Sequence, residues 1–431
     1  MPRILWLLPL AFVLRLSARD AAPLPAELFE YELVEAPVTT APLLKKGDRL
    51  AICGDSITEQ KKYSVLLETY LTACHPELEI TCRQYGWSGE QAGGFLRRIE
   101  SDVLRFKPTL ATTHYGMNDF RYVPYDESFA TEYRKNQTAI LDAFKTINCR
   151  VVLGSPGIID SVPDWVKTAK GTKQELNLCL SKYRNIDVEV ARASGVAFAD
   201  LYRPMLIANE VAQKQFGPDF RISGKDGVHP GWAGHLIMAY AFLKGMGVDG
   251  NLGSVIYDEA AGTATAHDGH EVISTQNGVI TLRSKRLPFC PGPGALEDDD
   301  SIRAGLALVP FDDEMNRLTF SIKSPKSANY QITWGAQIRS YSAAQLSSGI
   351  NLAKDFDSNP LVPAFQKIQD AVTKKQAYET VQIKKFVHSK EAAADLDATF
   401  ARTEIERAAL EKSIFDARQP AEHTITITAV P

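Results

Sequence analysis

The chain has 431 residues, enough for two or three domains and a sizeable core. Its 45% hydrophobic and 23% charged residues are ordinary for a globular protein, and 48 basic against 52 acidic residues, a net charge of -4, leave no basic footprint for nucleic acid. Six cysteines with no CxxC pair exclude a disulfide scaffold and argue against a zinc site.

At the N-terminus, Arg3 precedes an apolar run from Ile4 to Leu14, and small residues follow at Ser17 and Ala18. That pattern predicts a cleaved signal peptide over 1–18, because the run is shorter than the ~20 apolar residues of a membrane span. An exported protein, periplasmic or extracellular, with no transmembrane span after signal removal is expected. Residues 19–47 contain several Pro and Ala and read as a linker, or an arm lying on the next domain.

From Arg49 onward, short apolar runs alternate with longer amphipathic ones. Arg49–Cys53, Glu79–Gln84, Thr109–His114, Arg150–Leu153 and Val196–Ala199 read as strands. Tyr63–Cys74 reads as a helix with Tyr63, Leu66, Leu67, Tyr70, Leu71 and Cys74 on one face, and Phe95–Phe106, Glu127–Ile147, Gln174–Ser194 and Trp232–Gly245 follow suit. Such alternation predicts a parallel sheet with helices on both faces. Near Asn251 the pattern changes. Asn277-Gly278 between two β-prone stretches is a strong hairpin signal, and Arg317–Lys323 and Tyr330–Trp334 alternate polar and apolar residues. A β-rich accessory domain is expected over 251–362, with the acidic run Glu297–Asp300 in a solvated loop. Residues 363–418 read as an antiparallel helical hairpin. The strict period of two in His423–Val430 predicts that 419–431 returns as a strand to the β-rich domain, since one strand cannot stand alone. Cys74 and Cys82 either bridge in an oxidising compartment or fill core space as thiols.

Three polar segments follow strands, where ligands bind in open α/β sheets, and a fourth lies near the end of the α/β region. Gly54-Asp55-Ser56-Ile57-Thr58 ends the first strand, and Gly54 permits a sharp turn that presents Ser56 at a helix start. Asp226-Gly-Val-His229-Pro230 supplies a base for a serine hydroxyl and a carboxylate to orient that base. His235, six residues on within a helix and with no carboxylate just before it, reads as structural. Trp87-Ser88-Gly89-Glu90 and Tyr115-Gly116-Met117-Asn118-Asp119 offer a glycine N–H and an asparagine amide as donors to a developing oxyanion.

Together, Gly54-Asp-Ser56, Gly89, Gly116-x-Asn118-Asp and Asp226-x-x-His229 resemble the four blocks of SGNH/GDSL hydrolases over about 48–250, in order and spacing. The stretches Gly54-Asp-Ser-Ile-Thr-Glu59 and Gly116-Met-Asn-Asp119 resemble an exported bacterial subgroup with β-rich and helical additions. The resemblance implies a flavodoxin-like three-layer α/β/α sandwich with a five-stranded parallel sheet. It implies Ser56 as nucleophile and first oxyanion donor, Gly89 and Asn118 as further donors, His229 as base, Asp226 as orienting acid, and no metal or cofactor. The expected activity is ester hydrolysis through an acyl-enzyme, with O-acetyl groups on carbohydrate as substrate. A short-chain or lipid esterase or thioesterase is the alternative enzyme, and a non-catalytic carbohydrate-binding protein the alternative class. Trp334 or Tyr330 would be either a stacking platform for a polymer or core of the β module. The loops Asn118–Tyr125 and Ser155–Trp165 are expected to shape the substrate site.

Overall fold

The computed structural model describes residues 24–430, so the signal peptide expected over 1–18 lies outside the described residues. The chain then lays Ala26–Tyr31 and the segment after it along the α/β layer, where Asn185 Nδ2 donates to Glu32 O and Leu43 N to Met246 O. Strand β1 (Arg49–Gly54) leads into the single turn α1 (Ser56–Glu59) and helix α2 (Tyr63–Cys74). There follow β2 (Thr81–Gly86), α3 (Ala92–Asp102), β3 (Leu110–His114), α4 (Glu127–Lys145), β4 (Arg150–Gly154), α5 (Lys173–Ser194), β5 (Ala197–Ala199), α6 (Tyr202–Phe216) and α7 (Trp232–Gly245). The five strands are all parallel, in the order β2-β1-β3-β4-β5. Strand order reverses at β1, so a crevice opens beyond the carboxyl ends of β1 and β3.

Two boundaries move relative to the sequence pattern. Strand β2 begins at Thr81 and runs to Gly86, and α3 spans Ala92–Asp102 before a separate tight turn at Leu104–Phe106. Helix α6 has no counterpart among the expected helices. Its Pro204 resembles a breaker, yet it sits in the first turn, where the missing N–H costs nothing.

Beyond Gly250 the β-rich part forms two sheets. Its elements are β6 (Asn251–Asp258), β7 (Thr263–His267), β8 (His270–Gln276), β9 (Val279–Ser284), α8 (Ile302–Leu308), α9 (Phe311–Glu314), β10 (Arg317–Lys323), β11 (Asn329–Trp334), β12 (Gln337–Ser342), α10 (Ala343–Ser348), β13 (Ile350–Asn351) and α11 (Leu352–Asp355). Asn277 and Gly278 both take left-handed φ values, +51° and +76°, as a two-residue hairpin turn requires. Helix α12 (Val362–Val381), a π-helical turn (Gln382–Val387), α13 (Lys390–Ala394) and α14 (Leu396–Ala417) follow. The final strand, β14 (Ala421–Val430), inserts antiparallel between β9 and β11 with His423, Ile425 and Ile427 facing inward.

Tyr330 and Trp334 lie inside this second sheet, both fully buried. The stacking-platform reading of them is therefore wrong: Trp334 Nε1 donates to His423 Nδ1 at 3.0 Å, and the Tyr330 hydroxyl to Glu259 at 2.5 Å. All six cysteines are buried free thiols, Cys74 and Cys82 included.

The helical hairpin packs on the α/β layer, and this changes α2. The sequence gives α2 one apolar face, but all 12 residues are buried. The polar side lies under α12: Ser64 Oγ donates to Gln376 Oε1 at 2.7 Å, and Glu68 meets Lys375 Nζ at 2.7 Å. Lys375 also meets Glu379 and Glu411, each at 3.3 Å, so a buried cation is matched by carboxylates from both helices and α2.

Candidate active site

Ser56 is placed by backbone constraint. A Cβ on Gly54 would stand 2.1 Å from Thr58 Oγ1 and 2.9 Å from His114 O, so only glycine lets α1 fold back this tightly on the end of β3. Asp55 caps α1 by accepting the Ile57 N–H at 2.9 Å. Ser56 then opens the turn, and its Oγ lies 2.8 Å from His229 Nε2.

His229 comes from the loop between α6 and α7. Asp226 Oδ1 accepts the backbone N–H groups of Val228 and His229 at 2.9 and 2.8 Å, and its Oδ2 lies 2.6 Å from His229 Nδ1. Partial burial pushes the Asp226 carboxyl up, but the hydrogen bonds from His229 and Val228 outweigh it and hold the carboxyl below its usual range. An ionised Asp226 favours the Nδ1 proton, and in the neutral ring that tautomer leaves Nε2 to accept from Ser56. The chain Ser56–His229–Asp226 can therefore draw a proton off a serine hydroxyl.

The two segments expected to donate to an oxyanion both meet the Ser56 turn, through Trp87 N to Gly54 O and Asn118 Nδ2 to Asp55 Oδ2. Trp87–Glu90 is a turn closed by Glu90 N to Trp87 O at 3.2 Å, with Gly89 at φ +73°. Among the described residues, no hydrogen bond occupies the backbone N–H of Ser56 or Gly89. Asn118 Nδ2 donates to Glu90 O at 3.1 Å and to Asp55 Oδ2 at 3.3 Å. The longer contact is the weaker and can be exchanged for an oxyanion. Asp119 supports the segment by accepting Ala92 N and Gly116 N at 2.9 and 3.0 Å. Among the described residues, no group of three His, Cys, Asp or Glu is arranged to hold a metal ion.

His235 is fully buried, with Nδ1 accepting from Tyr63 N at 3.2 Å and Nε2 2.6 Å from Gln60 Oε1. Burial keeps it neutral, in line with a structural role.

Several supporting residues are not evident from local sequence. Asp300, from the acidic run, accepts Trp232 N at 2.9 Å and Lys62 Nζ at 3.1 Å. It supplies the cap that Gly231 cannot give α7, three residues after His229. The run is thus partly a brace for the His229 loop rather than only a solvated loop. The Ser155–Trp165 loop is tied to the same segment: Asp160 N donates to Gly227 O at 2.9 Å, and Asp160 Oδ2 accepts Ser223 N at 2.6 Å. This sets Trp165, 49% exposed, with its ring centroid 5.8 Å from that of His229. Tyr122 meets Trp165 edge-on at 5.6 Å, and Arg121 and Tyr122 both hold left-handed φ, a strain that clusters at functional sites. A flanking charge could have drawn attention to Asp300; only the fold reveals Trp165 as a neighbour of His229.

Residues 52–237 match the model of the GDSL-like lipase/acylhydrolase family. They form an SGNH/GDSL hydrolase domain. That domain is the domain of an ester hydrolase. The SGNH/GDSL domain is 27% identical, over 223 residues, to an acetylxylan esterase of Geobacillus stearothermophilus, a match covering 47% of this chain and 95% of the relative. The structure of a gut microbial diltiazem-metabolizing enzyme, 21% identical, aligns with a TM-score of 0.72 over 91% of this chain and 100% of its own. That likeness concerns the fold, and it extends past the SGNH/GDSL domain into the β-rich and helical parts.

Proposed function

We propose that this esterase removes O-acetyl groups from carbohydrate, with Ser56 as nucleophile, His229 as general base and Asp226 as its orienting acid. The observation that carries the reaction is the hydrogen-bonded chain from Ser56 Oγ through His229 to Asp226, at 2.8 and 2.6 Å. His229 takes the Ser56 proton as Oγ attacks the ester carbonyl, and the N–H groups of Ser56 and Gly89 with the Asn118 amide receive the oxyanion. The protonated His229 then hands its proton to the departing alcohol. Water, deprotonated by the same ring, releases the acid from Ser56 and restores the starting state.

The substrate class rests on the acetylxylan esterase relative and on Trp165. An exposed indole beside the base is suited to the apolar C–H face of a sugar ring on the leaving-group side. A screen of acetylated xylo-oligosaccharides against p-nitrophenyl esters of increasing chain length tests this reading. Preference for acetylated oligosaccharides and acetyl over longer acyl groups is expected; a kcat/KM that rises with acyl length would defeat it.

A further inference from the structure

We propose that Lys384, in the π-helical turn of the C-terminal hairpin, is a positioning residue for the Gly89 donor and acts through the Glu59 carboxylate. The proposal rests on the esterase reading above and on Gly89 as part of the oxyanion site.

The Ser88–Gly89 turn has little packing of its own. Both residues are exposed, and a Cβ placed on Gly89 would meet nothing within 4 Å. Backbone bonds hold the turn at its two ends, through Trp87 N to Gly54 O at 3.0 Å and Glu90 N to Trp87 O. Among the described residues, a single side chain bonds to its central pair: Glu59 Oε2 accepts the Ser88 N–H at 2.5 Å. Glu59 ends α1, the turn that begins with Ser56, so one carboxylate ties the nucleophile's turn to the donor's turn.

A carboxylate in this place has a cost. It is largely buried and ends the turn that Ser56 begins, and a bare anion there opposes an oxyanion. Lys384 answers both needs. Its Nζ lies 2.8 and 2.9 Å from the two Glu59 oxygens, fixing the carboxylate and offsetting its charge. The same ammonium lies 5.1 Å from the Trp87 ring centroid, on the residue that opens the turn.

The π geometry is what delivers these side chains. His388 N bonds back five residues to Ile383 O, and single π turns recur at functional sites. From the same turn, His388 Nε2 reaches Asp102 Oδ2 at 2.8 Å, and its ring meets Trp87 edge-on at 5.0 Å. Asp102 pairs with Arg98, and Arg98 grips both oxygens of Glu90, whose carbonyl orients Asn118. The hairpin thus reaches the two donor segments by two routes, Lys384 to Glu59 across 325 positions and His388 to Asp102 across 286. Lys384 itself contacts no reacting atom, so its effect must travel through Glu59.

The test uses the full chain, p-nitrophenyl acetate and the variants K384M, K384R, E59A and E59A/K384M, with S56A as control. K384M and E59A should each lower kcat by about 10- to 100-fold, below the ~10²–10³ for outright loss of an oxyanion donor, with KM within about twofold. K384R should recover kcat to within about threefold of wild type. In the E59A background K384M should have no further effect, because both act on one path. The proposal is overturned if K384M keeps wild-type kcat while S56A is inactive, if K384R is as impaired as K384M, or if the E59A and K384M effects multiply. Should K384M fail to fold, E59A carries the same prediction, and wild-type kcat in E59A overturns it. Activity retained in S56A would instead overturn the esterase assignment of Ser56, so the two failures are distinguishable.

Discussion

Asp226→Asn exchanges one carboxylate oxygen for an amide NH2 and leaves the side-chain shape unchanged. The site dictates how the amide will sit. Oδ1 of Asp226 accepts two backbone N–H groups, from Val228 and His229, whereas Oδ2 faces one ring nitrogen. The Asn oxygen will keep the two backbone donors, and its NH2 will face His229 Nδ1. A donor facing Nδ1 forces the ring proton to Nε2, which can then no longer take the Ser56 proton. Loss of the correct tautomer costs about 10⁴-fold in kcat in a Ser-His-Asp site, and the partial exposure of Asp226 moderates this to about 10³–10⁴, or roughly 4–5.5 kcal/mol of barrier. Steady-state hydrolysis of p-nitrophenyl acetate measures it, with circular dichroism to show that the fold is intact. A folded D226N variant within tenfold of wild-type kcat would refute the tautomer argument.

Three further outcomes follow from neighbouring residues. Burial raises the Asp55 carboxyl to about 8, so it is neutral at pH 7 and ionises above pH 8, placing a negative charge against the Asn118 amide; kcat should fall above about pH 8, and an alkaline limb that persists unchanged in Asp55→Asn would contradict this. Lys375→Met removes the cation that Glu68 and Glu379 share, a loss of about 3–5 kcal/mol in urea unfolding; a change below about 1 kcal/mol would show the cluster to be self-sufficient. Trp165→Ala should lower kcat/KM for acetylated oligosaccharides by about tenfold, roughly the loss of one ring contact, and leave p-nitrophenyl acetate nearly unaffected; equal losses on both substrates would remove Trp165 from sugar recognition.

The parallel sheet was legible because each strand is a short apolar run followed by a helix with a 3.6-residue period, and three of the four polar blocks follow strands, the Asp226–His229 block lying between two helices. Ser56, Gly89, Asn118, Asp226 and His229 stand in those blocks, and the fold joins Ser56, His229 and Asp226 in one hydrogen-bonded chain. What was not legible depends on distant packing. Glu68 reads as the solvent side of α2 until α12 covers it, and Tyr330 and Trp334 are aromatic residues whose burial no local pattern announces. Asp300 looks like one charge in a solvated run, but it caps a helix 68 positions away. Lys384 looks like one lysine of a pair on a charged helix, and only the π turn directs it to Glu59.

The central claim is that Ser56 is an activated nucleophile. Labelling the folded protein with a fluorophosphonate probe and locating the adduct by peptide mass spectrometry tests it most directly, because the probe reacts only with a serine whose proton is withdrawn. The account predicts one adduct, on Ser56, and neither label nor ester turnover in Ser56→Ala. A folded wild-type protein that takes no label, or an adduct on another residue with turnover preserved in Ser56→Ala, would contradict it.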